Sequence, residues 1–480
     1  MRRCERFHGS LSAERDPTKE TKDRFTEKSG AFNDYFLRFK ARGAYFCPRN
    51  QNPERNVTQN DCLAVLSPLV LFRPSSRRRK EVVKTGLNVG ILPALNYNND
   101  LGFQVGALGQ LYQYGDGAIY PNYYHKFVAH AYVFSKGARQ FILGYDSKYL
   151  VPGLRVTVDA QYMDNPLCGF YGFNGAVSPY HADLDLRKSD DGKEGIAFYA
   201  LWEKQLQVNL DLRGRISDRL EWLGGVQYSY QRYADVAIDP YVGAETLYHQ
   251  YCESGLIPEE DTFGHRLELK AGVVYDTRDF EANPERGSFC TVSLTGGLSA
   301  STSRRGSLLL SADLRKYIPI IPSRLTFAGQ VAYQGLLAGS LPFYALPAFA
   351  MRGSYGRRTV GNGVAWASTD LRLLVARFTA LRQNIELGLV GFADAGGVIQ
   401  TYRLQEQKAQ GGYTIDKMGS GPYRSIYEPD NATRERLHAS AGGGFFFAMN
   451  RNFITAVEFG KPLDPMDGNF GVYINLGFSF

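Results

Sequence analysis

From residue 85 onward the chain alternates apolar and polar side chains in segment after segment, and it nowhere carries a run of about 18 apolar residues, the length of a membrane helix. A period of two puts alternate side chains on opposite faces of a strand. In "LRVTVDAQY", Leu154, Val156, Val158, Ala160 and Tyr162 share one face, against Arg155, Thr157, Asp159 and Gln161. "HRLELKAGVVY" repeats this, with Leu267, Leu269, Ala271, Val273 and Tyr275 opposite Arg266, Glu268 and Lys270. "LLLSADLRKY" and "NIELGLVGFADAG" follow the same rule. A sandwich strand also alternates, so the connections must decide between the two architectures.

The alternation predicts strands near 86–97, 101–114, 124–134, 139–147, 154–164, 195–213, 219–234 and 265–277. The second half adds 287–299, 306–318, 324–338, 363–377, 384–396, 437–449, 453–460 and 471–480. The long connections, near 165–194, 235–264, 339–362 and 397–436, each lead from an odd strand to the next even one. Short turns such as "VPG", "SDR", "PIIPS" and "MNRN" fall on the other side. An even strand number with loops sorted by side is the pattern of an outer-membrane barrel. Composition agrees: 51 Gly, 31 Tyr and 30 Phe against six Met suit strands and tight turns better than helices. The fold class is an all-β transmembrane antiparallel barrel of about 16 strands, over residues 85–480.

The first 80 residues read differently. They hold 18 Lys and Arg against nine Asp and Glu, which leaves 37 against 39 of the chain's 55 and 48 for the barrel. The positive excess therefore lies in an irregular extension, and the folded part lacks a nucleic-acid footprint. "CLAVLSPLVLF", residues 62–72, has the length of a signal-peptide apolar segment, but it lies deep in the chain and no small-residue cleavage site follows it. Residues 1–80 thus read as a disordered or mis-assigned extension. The six cysteines show no zinc spacing. Cys168 and Cys252 would pair if their loops meet; otherwise all six are free thiols.

The final strand, "GVYINLGFSF", sets Val472, Ile474, Leu476, Phe478 and Phe480 on one face. These residues are expected to face lipid, with the strand closing onto 86–97 so that neither edge is left bare. The alternating Ile474, Leu476 and Phe478 ending on Phe480 also resemble the targeting signal read by the bacterial outer-membrane assembly machinery.

Three motifs go further. "YDTRDFEANPERGSF" spans 275–289, "MRGSYGRRTVGNGVAWASTDLRL" spans 351–373, and "GFADAGGV" spans 391–398. In this order they resemble the BamA/TamA-type outer-membrane assembly factor superfamily, the bacterial surface antigen family. Tyr275, Asp276, Arg278, Asp279, Pro284, Arg286 and Gly287 match its turn motif. Arg352 and Gly353 match the Arg-Gly of its inward-folded loop. Phe392, Asp394 and Gly396 match its strand motif. Ser354 stands where the family has an aromatic, and Tyr355 follows one place later.

The resemblance implies that Arg352 enters the lumen and pairs with Asp394. Strand parity agrees, because Asp394 shares a face with Glu386 while Ile385, Leu387 and Leu389 take the other. A wall carboxylate needs a partner, and an arginine fork provides a two-pronged one. The family also carries POTRA modules before the barrel, whereas residues 1–80 show no helix–strand alternation and would hold at most one.

No G-x-S-x-G nucleophile elbow occurs, since "RGSYG" only superficially matches it, and the seven His form no metal-spaced cluster. An enzyme is not expected, nor a metal or cofactor. Two functions stay open. One is an insertion or translocation barrel that works through a lateral seam on protein or lipid substrates; the other is a passive conduit or structural barrel with 339–362 as a plug. The loop and wall motifs favour the first and the missing modules the second, and the balance falls to the first. The expected partners are outer-membrane lipids, unfolded outer-membrane or secreted client proteins, and the assembly machinery during biogenesis. The expected location is the bacterial outer membrane.

Overall fold

The computed structural model describes residues 83–98, 102–178, 180, 184, 197–238, 245–300, 304–380, 383–409 and 435–480. The expected extension over 1–80, with its segment 62–72, lies outside them. Sixteen strands form one antiparallel sheet in chain order. The first eight are β1 (Leu87–Asn98), β2 (Gly102–Gln113), β3 (His125–Phe134), β4 (Arg139–Val151), β5 (Leu154–Gly169), β6 (Ala200–Arg215), β7 (Leu220–Ala234) and β8 (Phe263–Asp276). Next come β9 (Gly287–Ala300), β10 (Arg304–Ile321) and β11 (Leu325–Gly339). Two short strands, β12 (Ala348–Phe349) and β13 (Thr359–Val360), pair with each other inside the connection that follows β11. The sheet resumes with β14 (Gly363–Ala380), β15 (Gln383–Gln400), β16 (His438–Met449), β17 (Phe453–Pro462) and β18 (Gly471–Leu476).

Alternation sorts the faces. Along β8, Leu269 is 62% exposed while Arg266 is 2% exposed. Leu371, Leu373, Leu387 and Leu389 are exposed on β14 and β15, while Asp370, Arg372, Glu386 and Asp394 are buried on the inner face. The exposed apolar face is the one that meets lipid, and the sheet is a transmembrane antiparallel barrel.

At the loop side the long connections pack into an aromatic core. Phe170 and Phe173 meet Phe343 at 6.2 and 6.4 Å between ring centroids, and Phe173 meets Tyr402 at 4.8 Å. A short helix, Leu247–Glu253, adds Tyr248 and Tyr251 to the same cluster. Cys168 and Cys252 do not form a disulfide, nor does Cys290, and the Cys168 thiol donates to Glu203 at 3.2 Å; Cys4, Cys47 and Cys62 lie outside the described residues.

Two expectations change. The strand expected from 195 starts at Ala200. The last strand, expected to run to 480, stops at Leu476. Gly477 has φ +92° and its N–H bonds the carbonyl of Ile454, the last ladder contact with β17. A positive φ suits glycine and turns the chain off the sheet. Phe478 and Phe480, expected on lipid, go inward instead, and Phe480 is buried against Tyr317 and Ala328 on the inner faces of β10 and β11.

Between the edge strands there is no ladder pairing among the described residues, although β1 and β18 come within 8 Å of each other by Cα.

Candidate functional site

The connection between β11 and β14 delivers Arg352 to the inner wall, where three strands hold its partners. Its Nε and Nη2 donate to the two carboxylate oxygens of Asp394 at 2.9 and 2.7 Å. Nη1 donates to Asp370 at 3.0 Å and to Glu458 at 2.8 Å. The backbone N–H of Arg352 adds a bond to Asp394 at 3.2 Å. One planar fork thus ties β14, β15 and β17 together, which a point charge on a lysine stem could not do. The guanidinium also lies over the Phe392 ring, 3.7 Å from its centroid. All four charged side chains are buried.

Two glycines let this loop approach the wall. Gly353 has φ +96°, and a Cβ there would lie 2.7–2.9 Å from the backbone of Gly460 and Lys461 on β17. A Cβ on Gly460 would in turn meet the carbonyl carbon of Arg352 at 2.8 Å. The contact is backbone against backbone. The Gly353 N–H donates to the Tyr473 hydroxyl of β18 at 2.8 Å. Ser354 bonds locally to Met351, and Tyr355 stacks on Tyr171 at 5.2 Å within the aromatic core. Gly396 lies against Phe349 of β12.

Arg372 continues the network toward the turn side. It shares Asp370 through Nη2 at 2.8 Å and donates to the Phe480 carbonyl at 3.1 Å. Its guanidinium lies 3.8 Å from the centroid of the Phe478 ring, which meets Phe446 edge-on. Ser479 donates to the second oxygen of Glu458 at 3.1 Å. Residues 478–480 are therefore docked on the group of charges that surrounds Arg352. Ile474 and Leu476 remain in β18, opposite Val457 and Thr455.

The turn motif between β8 and β9 holds itself together. Arg278 grips Asp276 through Nε and Nη2 at 3.0 and 2.7 Å and covers Phe289. Asp279 accepts from the backbone N–H groups of Phe280, Glu285 and Arg286. Pro284 is buried, Arg286 points outward, and a Cβ on Gly287 would collide with the Thr277 carbonyl. Tyr275 faces outward on β8. The turn reaches across the barrel: Glu281 pairs with Lys148 and with Arg155 at 3.0 Å, and Arg451 covers Phe280. Burial alone would raise the Glu281 carboxyl, but the charges of Arg155 and Lys148 outweigh it and hold it down to about 2. Arg352 and the turn motif are not brought into contact with one another by any hydrogen bond or ion pair between them among the described residues.

Sequence reasoning missed Asp370, Arg372, Glu458 and Tyr473. The signal was present for Glu458, because a single acid in the apolar strand "FITAVEFG" marks a membrane-embedded charge that needs a partner. Asp370 and Arg372 alternate with leucines in the same legible way. The chemistry available is fastening by charge and ring contact. Among the described residues no group of three or more His, Cys, Asp or Glu is placed to hold a metal ion.

A family model described as the Omp85 superfamily domain matches residues 100–480. No curated protein matches the chain. Among solved structures, the chain is similar to BamA from Haemophilus ducreyi lacking POTRA domains 1–3, at 16% identity and TM-score 0.46, covering 81% of this chain and 70% of that one. It is also similar to CdiB from Escherichia coli, at 11% identity and TM-score 0.48, covering 82% of this chain and 63% of that one.

Proposed function

The chain belongs to the Omp85 superfamily, a family of outer-membrane assembly and transport barrels, and we propose that it assists insertion or translocation of substrates through the seam between β1 and β18. The observation that supports this reading is the meeting of the two edge strands. β1 has twelve residues, β18 has six, and no ladder bonds join them among the described residues. An unpaired strand edge offers a client strand the hydrogen bonds that lipid cannot supply. The substrates are unfolded outer-membrane or secreted proteins, or lipids, and the surrounding partners are outer-membrane lipids and the assembly machinery. The barrel spans 85–480, and residues 1–80 are an extension to it.

In this reading, Arg352 and Asp394 keep the wall from β14 to β17, which adjoins the seam strand β18, rigid, with Gly353 and Gly396 giving the close approach that the fastening needs. The turn motif closes the turn side of the lumen. A passive conduit is the second reading, and the aromatic core over the loop side counts against it in this conformation.

The test uses purified protein in liposomes, with cysteine pairs placed along 87–91 and 472–476 to lock the seam. The unlocked barrel should speed insertion of an unfolded barrel client, and locking should abolish that while any ion conductance is left intact. Steady conductance with no acceleration of insertion supports the conduit instead. If locking changes neither readout, the seam mechanism is wrong.

A further inference from the structure

The turn-side end of the seam is bridged by groups that belong to neither edge strand. The β2–β3 connection reaches past β1 to the turn that joins β16 and β17. Asn452 Nδ2 donates to the Tyr114 hydroxyl at 3.0 Å and to the Pro121 carbonyl at 2.5 Å. The Tyr112 hydroxyl donates to the Asn452 carbonyl at 3.3 Å, and Tyr120 donates to the Asn450 carbonyl at 3.4 Å. Tyr112 is itself fixed by stacking on Tyr114 and by a bond to Gln110 at 2.7 Å.

Next to these bonds sits an apolar peg. Phe453 is 3% exposed and packs in a cluster with Leu108, Tyr132, Phe134 and Ala138 from the β2–β4 region. To reach it, the ring passes the inner face of β1 at Gly90, where a Cβ would lie 3.3 Å from two ring carbons. Phe453 is also the residue just before Ile454, the last to contact the β18 end of the ladder. Where the final residues turn away into the lumen, Phe453 takes up the contact with β1.

We propose that Phe453 and the 450–452 turn, gripped by the 114–121 segment, form a clasp that fixes the turn-side end of the seam, so that β1 and β18 separate from the loop-side end. Asn452, Phe453 and Tyr112 are then positioning residues for the seam. Ladder bonds across an edge break and re-form together, whereas a buried aromatic and side-chain bonds from a third element hold whether or not the ladder is made. A client strand would pair with the edge exposed toward the loop-side end and be stopped at the fixed end. This inference rests on the seam reading for its meaning, but its test does not need a client.

Spin-label pairs report the two ends of the seam in the full chain reconstituted in liposomes: Val89 with Ile474 at the turn side, and Leu95 with Val472 at the loop side. The expected result is a narrow distance distribution at the turn side and a broad one at the loop side. Combining Asn452→Ala with Phe453→Ala should abolish the narrow turn-side distribution. Should that variant fail to fold, Asn452→Ala alone keeps the peg and should broaden the turn side partially. Equal breadth at both ends in the parent, or a turn-side distribution unmoved by loss of the bonds, overturns the clasp. If the distances behave as expected while seam locking leaves client insertion unaffected, the clasp stands and the functional reading fails.

Discussion

The wall from β14 to β17 and the edge where β1 meets β18 are built from similar alternating strands, yet they are held in opposite ways. In the wall, every strand is laddered to its neighbours, and a buried arginine adds bonds to three of them from inside. At the edge, ladder bonds are missing among the described residues, and contact is kept by an aromatic ring, tyrosine hydroxyls and an asparagine. Backbone ladders make a barrel continuous, but they do not say where it yields. The lumenal charges fasten β14, β15 and β17 from inside, and under the proposed function the neighbouring edge between β18 and β1 is the place that opens.

The largest expected effect breaks the stiff side. Arg352→Ala leaves Asp370, Asp394 and Glu458 facing one another without their common partner, at a cost of about 3–5 kcal/mol as for a well-buried pair. Asp394→Ala should cost less, because Arg352 keeps two carboxylates. The double variant should cost clearly less than the sum, since the two residues share one interaction. Arg352→Lys should restore only part of the loss. Urea unfolding followed by gel mobility of unboiled samples measures all four; strict additivity would mean that the pair is no more than a turn.

Gly353→Ala attacks the same side through the backbone. The residue would be held at φ +96° with its Cβ against Gly460, and roughly 1–3 kcal/mol of strain is expected. If protease access to 340–362 stays unchanged in this variant, the loop does not need its close approach to the wall.

A third experiment sharpens the comparison where the two regions meet. Residues 478–480 leave the edge strand and dock on Arg372 in the wall. Removing them forfeits the ring contact on that guanidinium, worth about 2 kcal/mol when shielded from water. The truncated chain should fold with lower yield and show greater separation of β18 from β1. Arg372→Ala should do more damage than the truncation, because Asp370 also loses a partner.

The smallest effect concerns pH at the turn side. Glu281 is about a third exposed, so its pairing with Arg155 and Lys148 is partly screened. Its folded-state value, about 2, lies below its ordinary 4.5, so its contribution is complete above pH 4.5 and is lost as the pH falls toward 2. Protease access to 277–286 should rise over that window and become insensitive to pH in Glu281→Gln. An unchanged pH profile in that variant would assign the effect to another group.

Much of this is legible in the sequence, because strand parity is a local property. The period of two sets Asp394 inward beside Leu387 and Leu389 outward, and the sorting of long connections to one side separates a membrane barrel from a sandwich. Asp370 and Glu458 were equally legible by parity, but no pattern in the chain says that one arginine from a distant loop would collect all three carboxylates. The last strand was the place where local reading misled. Phe478 and Phe480 continue the alternation beyond Leu476, yet one glycine at φ +92° ends the strand and sends both rings inward.

The sequence by itself determined the sixteen strands of the sheet, the face that side chains take within them and the family, since these depend on neighbours in the chain and on motifs of fixed spacing. Tertiary structure alone decided which strands meet at the edge of the sheet, which carboxylates share Arg352 and where Phe453 lies against Gly90. Those contacts join residues tens to hundreds of positions apart, such as Tyr112 and Asn452, 340 residues apart. They are fixed by the barrel's circumference, which brings its first and last strands together, and that closure of distance leaves no periodic trace in the sequence.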